Sequence, residues 1–116
     1  MLNYVWNLSG DDWDNRDRIF DYLGSCRVGN LCFDILVRDD GRRSYLSYDC
    51  YIGGIDDGYG YGKDGYPYTY GDGGDWDSLL PECSKEQFQS LAEKEFDEFI
   101  SASHLEHKAG EELRIW

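Results

Sequence analysis

Leu2, Tyr4, Trp6 and Leu8 recur at every second position near the start of the chain. That period places them on one face of a half-buried strand. The run Ser9-Gly10-Asp11-Asp12 interrupts it, and Ser9, Asp11 or Asp12 can cap a following helix. Residues 12–25, "DWDNRDRIFDYLGS", then predict a short helix of about three turns closed by Gly24. Its inward side chains would be Trp13, Phe20 and Leu23, with Ile19 beside them. Asp14, Asp17 and Asp21 would share one face of that helix.

A hairpin follows. Leu31, Phe33, Ile35 and Val37 are interleaved with Cys32 and Leu36, so the outgoing strand is expected to be covered on much of both faces. Asp39-Asp40-Gly41 supplies the turn, because glycine takes positive φ without steric penalty. The return strand, Ser44–Ile52, alternates Tyr45, Ser47, Asp49 and Tyr51 against Leu46, Tyr48, Cys50 and Ile52.

The strongest helical signal lies near the C-terminus. Pro81 precedes Ser84, and Ser84 with Gln87 three residues on forms a capping box. Phe88, Leu91, Ala92, Phe96, Phe99 and Ile100 then recur at helical spacing and make a broad apolar stripe. Glu86, Glu93 and Asp97 cluster on the far side. Glu95 projects into the stripe, where a salt bridge to Arg27 or Arg114 is expected, the alternative being an acid or base with a raised pKa. Gly110 ends the helical region, and "ELRIW" (112–116) can add a last strand. The pattern predicts a single α+β domain over 1–116. Its small antiparallel sheet of three to five strands packs against a long C-terminal helix, with a short N-terminal helix.

Composition changes this picture in one respect. The 116 residues carry 24 acids against 11 bases, a net charge of −13. Free nucleic acid and anionic membrane are disfavoured as partners, since both are gripped by lysine and arginine. A basic partner would be attracted over about 8–10 Å. No stretch approaches the roughly 20 apolar residues of a membrane span. The N-terminal sequence has no basic region, so a cytoplasmic setting is expected. Cys26, Cys32, Cys50 and Cys83 form no C-x-x-C pair and are expected as reduced, buried thiols.

Residues 53–77 are rich in tyrosine, glycine and aspartate and read as a functional loop or edge-strand segment. Tyr66, Tyr68 and Tyr70 alternate around Pro67 and Thr69, as in a short edge strand. Tyrosine among glycine and aspartate is the chemistry of binding loops: large, rigid contact area with a hydroxyl to bond. Asp72, Asp75 and Asp77 offer oxygens for calcium but not at EF-hand spacing, so a solvated acidic turn is the expectation and a calcium-dependent module the alternative. His104 and His107 read as a surface pair rather than zinc ligands. No nucleophile elbow or phosphate-cradling loop is present, so neither enzyme activity nor a cofactor is expected.

The acids fall in three blocks: the Asp11–Asp21 cluster, the Asp56–Asp77 segment and the Glu86/Glu93/Asp97 face. In this the chain resembles, in kind, the small acidic anti-defence proteins of phages and mobile elements, the anti-CRISPR and antirestriction inhibitors of DNA-mimic type. The resemblance implies binding to a basic nucleic-acid-handling effector, CRISPR-Cas or similar, and blockage of nucleic-acid access. Candidate contacts are Asp56, Asp57, Tyr59, Tyr61, Asp64, Asp72, Asp75 and Asp77, with Asp14, Asp17 and Asp21 as a second patch. An immunity protein that neutralises a nuclease toxin is the alternative within the same physics.

Overall fold

A computed structural model describes residues 2–39, 41–42, 44–52 and 83–110. The fold is α+β. Strand β1 (Val5–Asn7) leads into a short helix α1 (Gly10–Asp14) and a 3-10 turn (Arg16–Arg18), followed by β2 (Asp21–Val28), β3 (Leu31–Asp39) and β4 (Ser44–Ile52). The long helix α2 (Lys85–Ala102) and a final turn of helix, α3 (Glu106–Ala109), complete the described chain. The strands form an antiparallel meander in the order β1-β2-β3-β4. The expected strands at 66–70 and 112–116 lie outside the described residues.

The local signals explain the ends of the helices. Ser9 caps α1 by accepting from the Asp12 amide at 3.0 Å. Ser84 and Gln87 close both bonds of the capping box on α2, at 3.1 and 3.0 Å. These caps satisfy amide donors that a helix start leaves without intrahelical partners.

The expected helix over 12–25 is a correction. It ends at Asp14, and the chain from Asp21 to Val28 is a central strand. Asp21 adopts φ 80°, which no α-helix accommodates, and a bulge between Tyr22 and Gly24 shifts the register against β3. Beyond the bulge, Ser25 and Arg27 alternate with buried Cys26 and Val28, and Cys26 lies between Trp6 and Phe33 across the ladder. Phe20, expected inside, is 78% exposed. Leu91, counted in the apolar stripe of α2, is also exposed.

One face of the sheet carries the core. Phe96 of α2 stacks on Phe33 with centroids 4.0 Å apart, and meets Tyr48 edge-on at 5.0 Å. Trp6 contacts both Phe96 and Phe88, and Trp13 stacks on Phe88 at 4.7 Å. Phe33, Phe88 and Phe96 are fully buried. Burial and ring geometry both favour such a cluster, each aromatic pair adding about 0.5–1.5 kcal/mol beyond area.

The β2–β3 hairpin turns through Gly29-Asn30, and this turn presses on the end of α3. Gly29 has φ 56°, and a Cβ there would sit 2.4 Å from the Ala109 carbonyl oxygen and 2.5 Å from that of Lys108. The Asn30 amide donates to the Lys108 carbonyl at 3.0 Å. Gly41, at φ 91°, faces open space instead. Gly29→Ala therefore combines left-handed strain with a backbone collision, and should lower unfolding free energy by more than about 2 kcal/mol. Gly41→Ala should cost about 1 kcal/mol, from strain alone. Urea unfolding midpoints of the two variants measure the difference.

Candidate functional site

Helix periodicity puts Glu86, Glu93 and Asp97 on one side of α2; the fold brings Glu93 and Asp97 against Trp6 and Tyr4, while Glu86 is exposed at a groove beside Trp13 and Arg16. Tyr4 and Trp6, two residues apart on the strand, lay their rings on Phe96 and leave their polar tips at the helix flank. Tyr4 Oη donates to Asp97 Oδ1 at 2.5 Å, and Trp6 Nε1 donates to Glu93 Oε2 at 2.8 Å. Bonds to an ionised acceptor are short and about twice as strong as neutral ones. Burial, then the bond from its hydroxyl to Asp97 and the surrounding negative charge, push the Tyr4 phenol well above its usual range. It thus stays a protonated donor at neutral pH and well into the alkaline range.

Beside these bonds runs an open groove of about 390 Å³, lined by Leu2, Tyr4, Glu93, Asp97, Ile100 and Glu106. Its floor is apolar and aromatic, and three carboxylates border it. Between described residues the ion pairs belong to Arg38, with Asp21 at 3.4 Å and Asp49 at 3.9 Å. Glu93, Asp97 and Glu106 take part in neither. The groove can therefore offer oriented, ionised acceptors to a cationic side chain whose aliphatic stem lies on Leu2, Tyr4 and Ile100.

The N-terminal patch is arranged differently from the expected helix face. Asp14 is the last residue of α1, Asp17 lies in the 3-10 turn, and Asp21 opens β2. All three are exposed, but Asp21 is separated from the helix by the left-handed corner and tied to Arg38. Next to Asp14 a second groove, of about 510 Å³, is lined by Trp13, Arg16, Cys83, Lys85 and Glu86. Arg16 is buried there, its guanidinium 4.0 Å from the Trp13 ring centre and donating to the carbonyls of Trp13 and Cys83. Desolvation holds Arg16 below the usual arginine range, opposed by Cys83, Asp14 and Asp17. Asp56, Asp57, Tyr59, Tyr61, Asp64, Asp72, Asp75 and Asp77 lie outside the described residues.

Of the two arginines expected beside Glu95, Arg114 lies outside the described residues. Tyr48 Oη donates to the Glu95 carboxylate at 3.4 Å. Arg27 is on the opposite face of the sheet, beside Cys32, and so out of reach of α2. Cys26 and Cys50 are buried free thiols, while Cys32 and Cys83 are half-exposed, against the expectation of four buried ones. Burial and the neighbouring Asp34 push the Cys32 thiol up to about 12, so it is not a ready nucleophile. His104 sits in the turn after α2 at φ 57°, and His107 lies in α3. No group of three metal-ligating side chains occurs among the described residues.

Compared with protein-family models, curated proteins and solved structures, the chain matches none of them.

The face of the sheet away from α2 supplies a pH test of this geometry. Asp34 and Asp49 stand opposite one another in the β3–β4 ladder. Burial raises the Asp34 carboxyl above its ordinary value; the bond from Cys32 and the charge of Arg27 lower it, while Asp49 raises it further. A carboxyl raised on folding favours the native state below its unfolded pKa, and that advantage is lost as pH rises through the folded value. Asp34→Asn should therefore be more stable than the parent at neutral pH. The gap should close as pH falls through the folded Asp34 value and be gone by about pH 3. Thermal unfolding from pH 3 to 7 tests the sign.

Proposed function

We propose that the protein is an acidic inhibitor that docks on the basic nucleic-acid-binding surface of a host defence effector and blocks access of nucleic acid. The observation that carries this reading is the pair Glu93 and Asp97, held in place by Trp6 and Tyr4 and taking part in neither ion pair of Arg38. Carboxylates fixed by neutral ring donors keep their full charge while losing little further side-chain entropy on binding. Spaced along a helix, they can meet arginines and lysines that otherwise hold phosphates. A net charge of −13 adds long-range attraction to such a surface and disfavours binding to DNA itself.

The test is capture from a lysate of defence-carrying bacteria on immobilised protein, followed by elution with duplex DNA. The retained protein should be a nucleic-acid-binding protein, released by DNA and by raising salt. Charge reversal of the pair, Glu93→Lys with Asp97→Lys, should weaken the complex about a hundredfold at low salt. The exchange also removes the acceptors of the Trp6 and Tyr4 bonds, so the unfolding midpoint should fall, and binding is compared under conditions where circular dichroism shows both proteins folded. A captured protein that holds DNA and this protein together overturns the reading.

A further inference from the structure

Among the described residues β1 is an edge of the sheet, paired with β2 on one side only. In an antiparallel ladder each residue turns its N–H and C=O to the same side, so alternate backbone groups along β1 point away from β2. The side chains alternate too. Leu2, Tyr4 and Trp6 pack against the core beside α2, whereas Val5 is turned to the other face and is 60% exposed. The groove of about 390 Å³ lies along the same stretch, running from Leu2 and Tyr4 to Glu93, Asp97 and Glu106. No lysine, arginine or histidine lines it among the described residues. Exposed Lys94 lies about 160° round α2 from Phe96, on the solvent side of the helix. Outward backbone groups, an exposed valine and three carboxylates thus meet at one edge.

We infer that this edge takes an extended basic segment of the partner as an added strand. Side chains of a strand alternate between faces, so lysines or arginines at every second position reach Glu93 and Asp97, and the apolar residues between them cover Val5. The stems of the cations lie on Leu2, Tyr4 and Ile100. Charge complementarity selects this occupant. Residues 53–82 of the chain itself carry seven acids and one lysine, and residues 111–116 two acids and one arginine, so both would bring net negative charge to an acidic groove. A second copy, with its net charge of −13, is disfavoured for the same reason. The inference rests on the proposed function for the identity of the partner, and it specifies the form in which that partner presents its charge.

The probe is a short acetylated and amidated peptide that alternates lysine and valine, added to the full-length chain and followed by fluorescence anisotropy. Two further versions are methylated on the backbone nitrogens of the lysines or of the valines, which removes the donors along one edge of the peptide and leaves its charge. The parent peptide should bind, and one methylated version but not the other should lose at least about tenfold. Glu93→Gln with Asp97→Asn keeps an acceptor oxygen for Trp6 and Tyr4, and should weaken the parent peptide at least about tenfold with unchanged circular dichroism. Equal binding by all three peptides, equal loss in both methylated versions, or no binding by the parent overturns strand addition. Dimers of the chain that the peptide disperses, or binding that appears only once residues 111–116 are removed, assign the edge to another occupant and overturn it as well. The peptide test does not involve the effector. Any of these outcomes beside DNA-displaceable retention from the lysate leaves the proposed function standing. Peptide binding in the expected pattern without such retention keeps the edge site and removes its assignment to a defence effector.

Discussion

Phe96 is the residue on which the rest of the structure depends. Its ring stacks on Phe33, meets Tyr48 edge-on and lies 6.1 Å from both Tyr4 and Trp6. One side chain of α2 thereby contacts β1, β3 and β4. Nothing in a three-residue edge strand such as β1 would hold it in place alone, since a strand that short makes few ladder bonds. The aromatic packing gives it a fixed position over the helix. The polar ends of Tyr4 and Trp6 follow from that position, and with them the orientation of Asp97 and Glu93.

The same packing separates two kinds of acid. On the core side Glu95 approaches Tyr48, and on the far side of the sheet Asp34 and Asp49 sit half-buried near Arg27 and Arg38. These carboxylates face the protein's own donors and cations. Glu93 and Asp97 also accept from the protein's own donors, Trp6 and Tyr4, but with Glu106 they border an open groove and take part in neither ion pair of Arg38. A chain this acidic repels itself, so charges not balanced internally raise the free energy of the compact state. Contact with a cationic partner of the kind proposed would relieve that repulsion.

The N-terminal corner shows how a local pattern can mislead. Trp13, Phe20 and Leu23 sit at spacings that suit a helix, and Gly24 looks like its end. In the folded protein Gly24 is a strand residue instead, where a Cβ would meet the Asn7 carbonyl at 2.8 Å. Pairing with β1 and β3 satisfies more backbone groups than a lone three-turn helix could, and isolated helices that short are marginal. The exposed Phe20 is a consequence of that competition. It leaves an aromatic side chain on the surface that periodicity alone had assigned to the core.

The sequence by itself determined those features whose causes act within a few residues. These are the period-two alternation at 2–8, of which Val5–Asn7 is strand, the hairpin around Gly41, the capping box at Ser84 and Gln87, the apolar stripe of α2 and the excess of acid. Only the tertiary structure decided that residues 21–28 are a strand, because their ladder partners lie on β1 and β3. It alone brought Tyr4 to Asp97, 93 residues away, and Trp6 to Glu93, 87 away. Periodicity sorts side chains into faces, but which face meets which is set by core packing between elements far apart in the chain. The candidate site was therefore legible as a set of acids, and its geometry was not.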